Sequence, residues 1–113
     1  MEIQISKEAK DYMMSFKKKG ESFFIAYDKT GCTCSEEGIF SLRLVTHIDS
    51  NWVKVETIVG PIYMTKQTEM YLDQTMMIEY QSTYNDLVLK GKYEGVMAGH
   101  FVIQNEDGSQ RHK

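Results

Sequence analysis

Apolar and polar positions along the chain mostly alternate in short runs, with one stretch of clear helical spacing near the amino end. Ile3 and Ile5 alternate with polar neighbours, as in a half-buried strand. Ser6 then stands where a helix N-cap would. Ala9, Tyr12, Met13 and Phe16 follow at the three- and four-residue steps of one helical face. Lys17-Lys18-Lys19 and Gly20 supply a basic end and a C′ glycine, so the spacing predicts an amphipathic helix of about 13 residues. Ser22 to Tyr27 is aromatic and β-branched and reads as a strand partly buried on both faces. Phe40, Leu42 and Leu44 alternate with Ser41 and Arg43, a second strand running towards Ile48. Asp49-Ser50-Asn51 is turn chemistry, and Val53 and Val55 then alternate with Lys54 and Glu56 up to Ile58. A hairpin is expected to join these last two strands.

Gly60-Pro61 interrupts the pattern, because proline cannot donate in mid-ladder. Ile62 to Met64 is a short strand, Thr65 could cap a short helix carrying Met70, Tyr71 and Leu72, and Asp73-Gln74 turns the chain into a strand over Met76 to Tyr80. Leu87 to Leu89 and Val96 to Ile103 give two more strands, punctuated by Gly91, Gly95 and Gly99. Residues 105–113 are polar and expected to fray. Seven or so short strands, mostly following one another directly, with one long and one short helix, predict an α+β, mainly β fold. Pairing is expected to be mostly antiparallel, in a single domain over residues 1–104. The chain has eight methionines. Met13, Met64, Met70, Met76, Met77 and Met97 fall at core positions, which favours gap-filling over copper binding.

Composition narrows the classes. At 113 residues the chain suits one domain that buries roughly two thirds of its unfolded surface. A net charge of −3 offers no basic excess for counterion release, which argues against a nucleic-acid partner. The Lys17–Lys19 run is better explained by the negative end of the helix it closes. No apolar run approaches the ~20 residues that span a bilayer, and Met1 to Ile5 lacks a signal peptide's charged and apolar regions. The expectation is a cytoplasmic protein without a membrane partner, whose cysteines stay reduced.

Candidate chemistry concentrates in Thr30-Gly31-Cys32-Thr33-Cys34-Ser35, which holds both cysteines of the chain. Metal or cluster ligation, thiol redox chemistry, and two incidental thiols are the competing readings. A disulfide between residues i and i+2 would be strained and easily reduced. Redox use needs a depressed thiol pKa, whereas Asp28, Glu36 and Glu37 disfavour thiolate and Lys29 only partly offsets them. Tetrahedral iron or zinc sites and iron–sulfur clusters usually take four ligands, largely thiolates. One chain supplies two, and a two-fold homodimer would supply four.

His100 is a further candidate metal ligand, since neutral imidazole binds borderline metals. Its neighbours Gly99 and Phe101 lie in an apolar run, which favours a packed, hydrogen-bonded histidine. His47 reads as a surface residue, His112 belongs to the tail, and Glu36-Glu37 as solvated loop charge. No nucleophile elbow, phosphate-cradling glycine loop or paired-histidine motif points to an enzyme. A Cys32–His100 nucleophilic pair has only residue identity behind it.

The run from Ile62 to Tyr80 resembles the middle signature of the HesB/IscA-like family of iron–sulfur cluster biosynthesis. Leu72-Asp73 and Thr75 match its most telling positions, and Gln74 replaces a usual glycine. Ile5-Ser6-Lys7-Glu8-Ala9 resembles the family's strand-to-helix opening, and Gly31-Cys32 its glycine–cysteine pair. Matching order and spacing run from about Ile5 to Ile103. The resemblance implies a HesB-like fold and a non-enzymatic part in cluster biogenesis or iron binding. It implies a ligand role for Cys32 and assembly or recipient proteins as partners; by ligand number, adding Cys34, two chains of a dimer would hold iron or a [2Fe–2S] cluster. The chain also departs from the family. The carriers have two more cysteines in a Cys-Gly-Cys motif near the carboxyl end, where this chain offers only Met97 and His100. Thr33 and Cys34 replace a small residue and a glycine, so only Cys32 keeps a family ligand role. The alternative is an interaction module of the same fold that has lost cofactor binding.

Overall fold

The structure, a computed structural model, describes residues 1–28 and 39–112. Their elements are β1 (Glu2–Ile5), α1 (Lys7–Phe16), β2 (Ser22–Asp28), β3 (Ile39–Val45), β4 (Val53–Thr57), β5 (Gly60–Met64), α2 (Lys66–Met70), β6 (Thr75–Gln81), β7 (Asp86–Gly91), β8 (Gly95–Phe101) and β9 (Ile103–Gln104). The strands form a four-stranded sheet, β1-β6-β7-β8, and a five-stranded sheet, β4-β5-β2-β3-β9. Their inward residues, among them Phe23, Ile25, Leu42, Leu44, Ile62, Met76, Ile78, Leu89 and Phe101, make one core that Ala9 and Met13 of α1 complete. Each large side chain buried there contributes about 1.5–3 kcal/mol by leaving water. A ten-residue helix is marginal alone and depends on that packing.

The helix caps follow the sequence. The Ser6 hydroxyl accepts from Ala9 N at 3.2 Å, and the Thr65 hydroxyl accepts from Thr68 N at 3.1 Å. α1 is shorter than expected, because the backbone turns extended at Lys17. The three lysines therefore follow the last turn instead of occupying it, and Gly20 takes a φ of 85° in the turn into β2.

The hairpin expected between β3 and β4 does not form. β3 pairs antiparallel with β2, from Ser22↔Val45 to Asp28↔Ile39, and parallel with β9 at Leu42↔Ile103. β4 pairs instead with β5, from Val53↔Met64 to Thr57↔Gly60. Two turn signals flank β4, and the second closes the hairpin. Gly60 adopts a φ of 92°, which a side chain would oppose. The Thr57 hydroxyl donates to the Gly60 carbonyl at 2.7 Å and accepts from Val59 N at 3.1 Å. Gly60-Pro61 thus opens a strand and does not end one. Asp49–Asn51 makes only a local turn, with Asn51 N donating to the Asp49 carboxylate at 2.8 Å.

Among the described residues four strand pairings are antiparallel and three are parallel (β1 with β6, β2 with β5, β3 with β9). The run Val96–Ile103 is two strands. The chain leaves the four-stranded sheet at Phe101 and joins the five-stranded one at Ile103, and Leu42 N donates to the Val102 carbonyl at 2.9 Å between them. Met13, Met64 and Met76 are buried as expected, Met77 and Met97 only partly. Met70 is 84% exposed, because α2 ends there and buries Thr68 instead.

Residues after β9, for which fraying is expected, make specific contacts. Asn105 N donates to the Ser109 carbonyl at 2.7 Å and Gly108 N to the Asn105 carbonyl at 2.9 Å. The Glu106 carboxylate accepts from the Thr46 hydroxyl at 3.0 Å. Arg111 donates to both Glu21 oxygens, at 2.9 and 2.8 Å, and to the Phe16 carbonyl at 3.3 Å. Both side chains of this pair are largely buried, which makes its bonds stronger and its loss more costly than for a surface pair. The Arg111 bond holds the Glu21 carboxyl below its ordinary value of 4.5, against the opposing effect of burial. Because the folded pKa is depressed, this stabilisation is present above the unfolded value and lost as pH falls through the folded one. Glu21→Gln is expected to cost about 1.5–3 kcal/mol near neutral pH, with the gap to wild type closing in denaturant titrations run below the ordinary glutamate range. A gap independent of pH would contradict it.

Candidate functional site

The thiol loop departs from the β2–β3 hairpin. Among the described residues, Asp28 and Ile39 are the outermost pair of its ladder, so the two ends of the connection stand opposite one another. Cys32 and Cys34, with Lys29, Gly31, Glu36 and Glu37, lie outside the described residues. The foot of the loop is held by aromatic packing. The Tyr27 ring lies 4.5 Å from that of Phe40 and 4.7 Å from that of Tyr71, just beyond α2.

Asp28 is fixed by charge as well. Its carboxylate oxygen lies 2.8 Å from Nη2 of Arg43, and Arg43 Nε donates to Gln104 Oε1 at 3.2 Å. By register Arg43 lies opposite Phe24, and Asp28 lies opposite Ile39. The ion pair therefore spans the intervening Ala26–Ser41 pair. That accounts for the burial of Ser41, which alternation places on the polar face of β3. Phe24, Tyr27, Asp28 and Arg43 of the sheet face Thr65, Gln67, Thr68 and Tyr71 across a cleft of about 440 Å³. It is amphipathic, with aromatic walls and one ion pair at the foot of the loop. Sequence reasoning missed Arg43 and the residues of this cleft. One signal was available, a lone charge in the middle of an otherwise apolar strand.

His100 sits on β8, in the four-stranded sheet, whereas both ends of the thiol loop belong to the five-stranded sheet. It is hydrogen-bonded, as expected, but not packed. Phe101 points inward and is fully buried, while the His100 side chain is 58% exposed. The register shift between Leu89↔Ala98 and Leu87↔Phe101, where β8 holds one residue more than β7, turns Phe101 inward and His100 outward. Nδ1 lies 2.9 Å from Asp86 Oδ2. Gln81 Nε2 donates to Asp86 Oδ1 at 2.5 Å and to the Gly99 carbonyl at 2.6 Å. The Tyr84 ring meets the imidazole edge-on at 4.8 Å. Nearby, burial first and the Asp86 carboxylate second hold the Tyr12 phenol above its ordinary value of 10.0. His47 and His112 are exposed. Among the described residues no three His, Cys, Asp or Glu side chains converge to hold a metal ion.

Asp73, in the Leu72-Asp73 motif, has a structural task. Its Oδ2 accepts from both Tyr93 N and Glu94 N at 2.8 Å, capping the turn between β7 and β8. Gly91 is required beside it, because a Cβ there would overlap the Asp73 carboxylate.

Two mixed sheets, a leading helix and a thiol-bearing hairpin connection define a small β-rich thiol domain. A model of the iron–sulphur cluster biosynthesis family matches residues 1–104, and the chain belongs to that family, the HesB/IscA-like proteins. It is 27% identical over 75 residues to the uncharacterized protein YqkB of Bacillus subtilis (strain 168), which is 66% of this chain and 70% of YqkB. Its fold is similar to a crystal structure of a candidate Fe–S biosynthesis protein from Lactobacillus acidophilus, with a TM-score of 0.75 and 22% identity over 95% of this chain and 91% of the other. It is also similar to Escherichia coli SufA, involved in biosynthesis of iron–sulfur clusters, with a TM-score of 0.57 and 13% identity over 84% of this chain and 91% of SufA. At these identities the likeness shows the fold. Among the described residues no helix is long and apolar enough to cross a membrane.

Asp73 therefore explains a matching motif position without ligand chemistry. Asp73→Ala is expected to cost about 1–3 kcal/mol, because two backbone N–H groups lose their acceptor. It should leave the alkylation rates of Cys32 and Cys34 at wild-type values. Unchanged stability, or altered thiol reactivity in a fully folded variant, would contradict this role.

Proposed function

We propose that this protein carries iron or a [2Fe–2S] cluster as cargo and passes it on without catalysing a reaction of its own. Cys32 and Cys34 of two chains supply the ligands. One observation carries the reading: the family match spans residues 1–104, and the connection between β2 and β3 within it holds both thiols of the chain. Thiolates suit iron and its clusters because they are soft, charged donors. Two per chain are half the usual set, and no cysteine follows Cys34. A two-fold dimer completes the set with identical loops. His100, on β8 of the four-stranded sheet with Nδ1 engaged by Asp86, is not needed for this four-thiolate set. The setting is cytoplasmic, and the partners are assembly or recipient proteins of the cluster pathway.

A second reading, an interaction module of the same fold without cargo, is favoured by two exposed apolar residues near the foot of the loop. Ile39 is 69% exposed beside Asp28, and Met70 is 84% exposed beside Tyr71. Anaerobic reconstitution with iron and sulfide separates the two. Thiolate-to-iron charge-transfer absorbance and bound iron are expected in the wild type, with loss of both in Cys32→Ser and Cys34→Ser. Equal metal in all three proteins, or no such band in the wild type, would favour the interaction module.

A further inference from the structure

The basic residues of the chain are unevenly placed. Lys7, Lys10, Lys17, Lys18 and Lys19 crowd α1 and the turn after it, against Glu8 and Asp11. Five lysines against two acids give this segment a net charge of +3 in a chain whose net charge is −3, so the remainder carries −6. The helix dipole does not account for the run. α1 ends at Phe16 with no basic residue in its last turn, and the effect of the dipole fades beyond that turn. Ion pairing does not account for it either. Lys54 and Lys90 each meet a glutamate, whereas among the described residues none of these five lysines pairs with a carboxylate. Glu21, just beyond them in sequence, is engaged by Arg111. Lys7, Lys10 and Met14 share one outward stripe of α1, at three- and four-residue steps. Met14 is 43% exposed there, while Ala9 and Met13 face the core.

We propose that this face is a docking surface for an acidic polypeptide segment that also carries an apolar side chain. The lysines take its carboxylates, and Met14, flexible and polarizable, packs against its apolar residue. The segregation of charge steers an acidic partner to this side and holds it off the rest of the surface. A membrane fits less well, because one exposed apolar residue gives the helix little to bury among lipid. Nucleic acid fits less well too. Tyr12 and Phe16 are half-buried, with their rings 5.0 Å apart, and α1 exposes no ring for bases to stack on. The proposal does not depend on what the thiols hold.

The test is an amide NMR titration of the full chain with a short synthetic peptide of glutamate and leucine, beside one with glutamine in place of glutamate. Shifts are expected at residues 7–20, with the acidic peptide alone. The affinity should fall about fivefold or more as salt rises from about 0.01 M to about 0.15 M. Lys10→Gln and Lys18→Gln are each expected to weaken binding about threefold, and Met14→Gln to weaken it by a similar factor. All three positions are exposed, so these variants should stay folded, with spectra unchanged away from the substitution. Lys92→Gln, at another exposed lysine without a carboxylate partner, should leave the affinity at its wild-type value. A glutamine peptide that binds as well, shifts spread over the whole surface, or a Lys92→Gln loss equal to that of Lys10→Gln would overturn the proposal. So would a Met14→Gln variant of unchanged affinity. Tighter binding through the same residues by a single-stranded oligonucleotide, or by phosphatidylserine vesicles, would assign the surface to that partner instead and overturn it as well.

Discussion

The β2–β3 ladder is the constraint on which the site depends. Its pairing, from Ser22↔Val45 to Asp28↔Ile39, fixes the face of every side chain on both strands. Phe23, Ile25, Phe40, Leu42 and Leu44 go into the core, and Phe24, Asp28, Ser41 and Arg43 go to the opposite face. A slip of one residue would bring Arg43 to the apolar side, where an unpaired charge is costly. With the register set, Asp28 and Ile39, which flank the segment carrying both thiols, are held opposite one another.

The rest of the five-stranded sheet extends that hairpin. β5 adds in parallel to β2 at Phe23↔Ile62, and β9 adds in parallel to β3 at Leu42↔Ile103. Both additions continue the buried face, and both bring distant segments to the foot of the loop. α2 follows β5 directly and supplies one wall of the cleft. The carboxyl-terminal turn follows β9 and lies against Arg43. Sheet pairing thus gathers around the loop residues that local sequence keeps far apart.

Features governed by local chemistry were legible in the sequence. Ser6 and Thr65 announce their helices because a hydroxyl at that offset can accept from a backbone N–H two or three residues on. Alternation named Phe40, Leu42 and Leu44 as the core residues of β3, and the Ile5, Gly31-Cys32 and Leu72-Asp73 landmarks led to the family that the match over residues 1–104 bears out. Partner choice was not legible. Periodicity assigns a strand its faces and not its neighbours, so β4 was matched to β3 when the Gly60 turn delivers it to β5. Met70 was misplaced because nothing local marks the end of α2, which stops at Met70 and buries Thr68. The exposure of His100 was hidden by an apolar run whose faces are set by a register shift against β7. Cys32 and Cys34 stood out through spacing alone, and the chemistry claimed for them rests on ligand number and family membership.

The central claim is that two chains share one iron centre through four loop thiolates, and a native mass spectrum of the anaerobically reconstituted protein tests it most directly. The expected species is two chains with one [2Fe–2S] cluster or one iron ion, absent when Cys32 or Cys34 is replaced by serine. Iron carried by single chains, or a metal-loaded dimer that survives both serine substitutions, would contradict it.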